Sequence, residues 1–149
     1  MRYPRPIRKN NQRGSAVLEF VLTAPLLFLL MLGSADFGRA FYYSVTISNA
    51  AGAGALQGGQ SLATSGHSDL SVQAARADAS DVGTVSATAV RFCACPNGNK
   101  VDCLLGTCGS DAPRVYVSCR VEKSFDTLVN WPAIPELFVV RREAFMRVQ

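Results

Sequence analysis

Residues 14–38 read GSAVLEFVLTAPLLFLLMLGSADFG, and the rest of the chain is read outward from them. Phe20 through Ala35 are sixteen residues without a charge, and extending back to Ala16 gives twenty with only Glu19 inside. Twenty helical residues span about 30 Å, the thickness of a bilayer core. Ahead of the run stand Arg2, Arg5, Arg8, Lys9 and Arg13, with no acidic residue. Basic residues on one flank hold that flank in the cytoplasm and send the other side outward. A secretory signal peptide shares the basic start, and Gly33-Ser34-Ala35 offers a conventional cleavage after Ala35. Against it, Glu19 sits early in the run, Pro25 breaks its pattern, and the run outlasts most signal segments.

The 149 residues leave room for one membrane helix and one small domain of roughly 90 residues. The formal net charge is +4, yet the first fourteen residues hold five of the fifteen basic groups and none of the eleven acidic ones. That leaves ten against eleven, a net of −1, for residues 15–149. The basic excess is a topology signal, and a nucleic-acid partner loses its support.

Gly14 is followed by Ser15-Ala16-Val17-Leu18 and then Glu19-Phe20, set between a basic segment and an apolar helix. This spacing resembles a type IV prepilin processing site. The longer run, RGSAVLEF through LTAPLLFLLMLGSADFGRAFYY to ISNAAGAGA, resembles TadE-like proteins, pilin-like subunits of the tight-adherence (Flp, type IVb) pilus assembly system. The resemblance covers residues 13 to about 56. It implies cleavage between Gly14 and Ser15 by a prepilin peptidase, and insertion in a bacterial inner membrane. The N-terminus would be cytoplasmic and the C-terminal domain periplasmic, with incorporation into an extracellular pilus for surface adhesion left open. The implied partners are the peptidase, other pilin-like subunits, the Tad assembly machinery and inner-membrane lipid. An isolated carboxylate at membrane depth is costly and seeks a partner. In pilin-like assembly Glu19, beside Phe20, would meet the Ser15 amine of a neighbouring subunit, a head-to-tail contact that builds filaments. The alternative is a glutamate that snorkels to the cytoplasmic interface.

In chain order, residues 1–14 form a basic leader, 15–57 a transmembrane and stalk helix, and 58–149 an extracytoplasmic α+β domain. Beyond the apolar run, Phe37, Phe41, Tyr42 and Tyr43 suit a membrane interface, and Asp36 with Arg39 makes a solvated pair there. Ala40, Ser44, Ser48, Ala51 and Ala55 make a stripe of small side chains, ready to pack on another subunit or on the chain's own domain. Gly52, Gly54, Gly58 and Gly59 weaken the helix toward its end. The Gly-, Ser- and Thr-rich residues 58–67 predict a hinge, and residues 68–80 a short helix with Leu70, Ala74 and Ala77 inward. Three strand-like stretches follow, at 84–95, 114–125 and 137–148. In the second, Val115, Val117, Cys119 and Val121 alternate with polar residues. The expected fold is a long N-terminal helix packed on a small antiparallel three-stranded sheet, pilin-like in outline, with residues 130–135 and Trp131 in a loop.

Cys93, Cys95, Cys103 and Cys108 crowd around a Pro-Asn-Gly-Asn turn, and Cys119 follows on the next strand. An extracytoplasmic domain with such spacing reads as disulfide-stapled, whereas zinc sites favour paired Cys-x-x-Cys knuckles. Neighbours one residue apart rarely bridge, so Cys93 and Cys95 each bond to one of Cys103 and Cys108, in either pairing, leaving Cys119 as a free thiol. No phosphate loop, metalloprotease or hydrolase motif is present, and the single histidine, His67, restricts acid–base and metal constellations. Asp78 and Asp81 resemble a carboxylate pair but suit a solvated helix end. The chain is expected not to be an enzyme, and to need no metal or cofactor. A single-pass anchored binding domain without a filament role, and a domain secreted after Ala35, are the competing readings.

Overall fold

The structure, a computed structural model, describes residues 13–128 and 137–149. Residues 1–12 of the basic leader and the segment carrying Trp131 lie outside the described residues. The chain divides into two units, residues 1–37 and 38–149.

In the first unit the described residues belong to helix α1, Arg13–Gly59, which runs on across the division and contains Pro25 without ending there. Almost every side chain of this part is exposed, and Phe20, Leu26, Leu27, Phe28 and Met31 are each more than half exposed. A water-soluble fold does not leave so long a run of Leu and Phe uncovered; a helix with lipid around it does. Its hydroxyls turn back on the helix: Thr23 donates to the carbonyl of Glu19 at 2.9 Å and Ser34 to that of Met31 at 2.9 Å. Neither of these two hydroxyls therefore needs water.

The second unit holds the end of α1 and every other element. Helix α2, Leu62–Ser65, is a single turn inside the stretch expected to be a hinge. Ser61 and Thr64 form a reciprocal capping box there, which holds the turn despite its Gly and Ser content. Helix α3, Ser68–Asp78, is followed by a 3-10 turn, Ser80–Val82. Its buried face is Ser71 and Ala75, with Ala79 beyond, rather than Leu70, Ala74 and Ala77. The reason is steric: α3 lies where α1 comes closest, and only small side chains fit between them.

Four strands make one antiparallel sheet in the order β2-β1-β3-β4: β1 Ser86–Ala94, β2 Lys100–Val101, β3 Arg114–Asp126 and β4 Leu137–Arg147. The expectation of three strands is corrected to four. The additional strand is two residues long, paired as Cys93 with Val101 and Ala94 with Lys100, too short to leave an alternating pattern. The α+β class and the antiparallel sheet stand. On β3, Val117, Cys119, Val121 and Phe125 point to the core, opposite Ala87 and Ala89 of β1 and Val140, Ala144 and Met146 of β4. Against that face lie Ile47, Ala50, Ala51 and Ala55 of α1, all at most 1% exposed. The outer face carries the stacked Phe92 and Tyr116 rings and two ion pairs, Arg120–Glu143 and Arg141–Glu122. Each fully buried Val or Ile contributes about 1.5–3 kcal/mol, so the interior is held mainly by β3 and the last four turns of α1.

Candidate functional site

The residues at the start of α1 share its first two turns. Among the described residues nothing lies within 4 Å of a Cβ added at Gly14. The Ser15 hydroxyl donates to Oε1 of Glu19 at 3.3 Å, one helical turn on, and Glu19 and Phe20 are both exposed. A carboxylate has acceptor capacity well beyond one hydroxyl. Set in an apolar run, Glu19 thus presents an unfilled demand for a donor or a cation on the helix surface.

In the second unit, the turn of α1 that carries the aromatic residues is tied down by β3 and the 3-10 turn. The Tyr43 ring meets Phe125 edge-on with centroids 5.5 Å apart, and the Arg39 guanidinium lies 5.2 Å over the same ring. The Tyr42 hydroxyl donates to Asp81, and this bond and the carboxylate's charge raise the Tyr42 pKa. Asp81 is therefore a tether for the helix rather than half of a carboxylate pair with Asp78. His67 is exposed, as a residue without a packed role would be. Asp36, in the first unit, is 6% exposed and engaged, so its expected solvated setting is corrected to a buried one.

Further along α1, the stripe of small residues packs on the chain's own domain. Its buried members are Ala51 and Ala55 together with Ala50, Gly54 and Gly58, while Ser48 is exposed. Gly54 and Gly58 are the residues that sequence reasoning missed. A Cβ at Gly54 would lie 2.5 Å from Sγ of Cys119 and 2.8 Å from the Ser71 carbonyl. One at Gly58 would lie 2.6 Å from Oγ of Ser71 and 2.7 Å from Val117. Their four-residue spacing was the available signal, since it puts both on one face of the helix.

At the other end of the sheet Cys93 is bonded to Cys103 and Cys95 to Cys108, with Cα separations of 5.1 and 5.4 Å. Gly98 turns the chain between β1 and β2 with φ +88°, a conformation suited to glycine. The Asp102 carboxylate accepts from the amides of Leu104 and Leu105 at 2.8 and 2.9 Å, and those two bonds, Leu105 first, lower its pKa. The resulting tight turn projects Leu104 and Leu105, which are 93% and 86% exposed.

Cys119 carries no bond and is fully buried; burial, with the Glu143 charge second, raises its thiol pKa. A protonated, inaccessible thiol is inert. The native protein is therefore expected to react with no equivalent of a thiol reagent such as iodoacetamide, and with one equivalent after denaturation without reductant. Mass spectrometry of the alkylated chain counts the adducts; rapid labelling of the native state would refute the buried placement. Among the described residues no group of three or more His, Cys, Asp or Glu side chains is arranged to hold a metal ion.

Among the described residues one helix, Gly14–Gly59, is long and apolar enough to cross a membrane. Residues 14–56 match the family described as TadE-like protein, which is the segment whose sequence carries the resemblance. The match covers the apolar run, Glu19 and the stalk as far as Leu56, and not the sheet. No curated protein and no solved structure matches the chain.

Proposed function

We propose that this Tad-pilus-related chain is a minor pilin or pseudopilin. It is inserted in the inner membrane, cut after Gly14 by a prepilin peptidase, and used in assembling a tight-adherence pilus. Its role is structural rather than catalytic. One observation carries the reading: within the segment that matches TadE-like proteins, residues 16–35 keep most of their apolar side chains uncovered, with Glu19 the one charged residue among them. A plain anchor has no use for a carboxylate one turn inside its lipid-facing run. A subunit that docks on the free amine of a neighbour does, because cutting after Gly14 places a new cation at Ser15 and removes the basic leader in the same step. The open surroundings of Gly14 among the described residues suit access by a peptidase.

The small-residue face of α1 bears on how such a subunit would assemble. That face is occupied by the subunit's own sheet and α3, so helix contacts between subunits fall to the apolar run and to the exposed side of the stalk, where Phe41, Val45 and Leu56 lie. The test is the intact mass and N-terminal sequence of the protein recovered from membranes. A start at Ser15 is expected. A start at Met1 would leave a single-pass anchored binding domain and overturn the pilin reading. A start at Asp36 would mean a secreted domain for which α1 was only the signal.

A further inference from the structure

The second unit carries two uncovered apolar features of different shape. The first is the turn at residues 102–108, stapled by both disulfides, which projects Leu104 and Leu105 at 93% and 86% exposure. Asp102 caps their amides, so the turn is fixed before any partner arrives. The second is the face of the sheet turned away from α1. Register places Val90, Ser118 and Phe145 in one row across β1, β3 and β4, and Phe92, Tyr116 and Arg147 in the next. Val90 and Phe145 are each 58% exposed, and the small, buried Ser118 stands between them. The Phe92 ring stacks on Tyr116 with centroids 5.6 Å apart and meets Phe145 edge-on at 6.1 Å. The result is a shallow apolar trough with rings on its walls.

The two features carry opposite charge. Residues 102–113 hold Asp102 and Asp111 and no basic group. Beside the rings stand Lys100, Arg114 and Arg147. Lys100 lies 4.9 Å over Phe92, Arg114 comes two residues before Tyr116, and Arg147 is opposite Tyr116 in register. Asp111 lines one open cleft of about 400 Å³ with the two arginines, and these cations still outnumber it. Among the described residues none of these five groups forms an ion pair within the chain. The other carboxylate beside the rings, Glu143, is taken by Arg120 at 2.9 Å and adds no free charge.

We propose that the Leu104–Leu105 turn of one copy docks in the ring-walled trough of a second copy, its acids meeting Arg114 and Arg147 there. Neither feature suits itself. Trough against trough sets cations together, and turn against turn sets carboxylates together. Exposed leucines need an apolar cover and an open ring cluster needs something apolar to fill it, so each feature supplies what the other lacks. A turn already fixed by its bridges loses little freedom on docking. Two leucines cover far less than the roughly 800 Å² per partner of a stable complex, so the contact acts between copies already gathered in one membrane. The inference therefore rests on the reading of α1 as membrane-spanning, and not on cleavage after Gly14.

The experiment puts the photo-crosslinker p-benzoylphenylalanine in place of Leu104 in the full chain, disulfides intact, in phosphatidylcholine vesicles. A nitrogen-15-labelled partner copy is mixed in, either unaltered or as Phe145→Ser/Arg147→Glu. Both changes lie on the face away from α1, so they spare the core. Irradiation is expected to give covalent dimers whose adducts, located by mass spectrometry, fall on residues 90–92, 116 or 145 of the unaltered partner. With the altered partner the yield is expected to fall several-fold. Absence of dimers, adducts elsewhere on the partner, or equal yields from both partners would overturn the inference. Adducts on lipid alone would overturn it too, and would mean that the leucines enter the bilayer. Flotation with the vesicles checks α1 separately. A chain that floats without forming these dimers leaves the spanning helix standing, and one that does not float sinks the helix and the inference together.

Discussion

Removal of both disulfides is expected to lower the unfolding free energy of the domain by about 5 kcal/mol, a large part of what a small domain possesses. The bridges close loops of 10 and 13 residues, each of which contributes about 2.5–3 kcal/mol by restricting the unfolded chain. The loops overlap, because Cys95 lies inside the first and Cys103 inside the second, so the second closure adds somewhat less than it would alone. Little else holds this end of the molecule. β2 has two residues, the turn between the strands depends on Gly98, and the α1-facing core stops near Val117. Urea unfolding of the detergent-solubilised chain measures the effect, with and without reductant, beside a Cys93→Ser/Cys103→Ser and a Cys95→Ser/Cys108→Ser variant. Each pair is expected to account for roughly half of the loss. A reduced protein within about 1 kcal/mol of the oxidised one would show that packing of helix on sheet carries the domain unaided.

The bridges also have a local consequence. Cys103 and Cys108 bracket the turn that presents Leu104 and Leu105. Without the staples, two adjacent leucines above 85% exposure would be free to collapse onto any apolar surface nearby. The Asp102 carboxylate, which caps their amides, holds the turn in the ionised form. Its pKa is lowered by those bonds, so the support is complete above the ordinary carboxylate range and fades only as pH falls through the depressed value. Acid therefore leaves the turn intact to a lower pH than a carboxylate without those two amide bonds would allow.

What could be read from the sequence follows from how far each signal reaches. The apolar run is long and uninterrupted, so length alone identified a helix fit for a bilayer. The alternation of Val117, Cys119 and Val121 identified the inner face of β3, because a strand's period of two survives in a short window. The α+β class followed from those two observations. Less was legible where contacts between elements decide. β2 exists because Cys93–Cys103 brings Val101 beside β1, and a two-residue strand has no pattern of its own. The inward face of α3 is Ser71 and Ala75 because those side chains are small, whereas hydrophobicity alone points to Leu70. Asp81 suited a solvated helix end, and only the fold brings it to Tyr42, 39 residues away in sequence. At the candidate site, the Gly14, Ser15 and Glu19 spacing was visible as a motif. The exposure of Glu19 among uncovered apolar side chains needed the structure.

Gly54 and Gly58 show the same limit most sharply, and they yield the second large expected effect. In an exposed helix interior, Gly→Ala stabilises by about 1 kcal/mol, since alanine loses less backbone freedom on folding. Gly52 is such a position, with nothing within 4 Å of its added Cβ, and Gly52→Ala is expected to raise stability by up to about that amount. Two residues on, the sign should reverse. The Cβ of Gly54→Ala would meet Sγ of Cys119 at 2.5 Å, the Ser71 carbonyl at 2.8 Å and Cβ of Ala75 at 3.1 Å. Two of the three neighbours lie on α3, and one of those is backbone, so relief requires α1 and α3 to separate along their length. Overpacking of this kind costs about 1–3 kcal/mol, enough to outweigh the helical gain, and Gly54→Leu should exceed it. Combining Gly54→Ala with Cys119→Ala removes one contact and leaves the carbonyl, so only partial recovery is expected. Urea unfolding of Gly52→Ala, Gly54→Ala and the double variant decides the matter. If Gly52→Ala and Gly54→Ala move stability in the same direction, propensity governs this helix and the close seam with α3 and β3 does not. If they move in opposite directions, the glycines that looked like a fraying helix end are the positions on which β3 and α3 are fastened to α1.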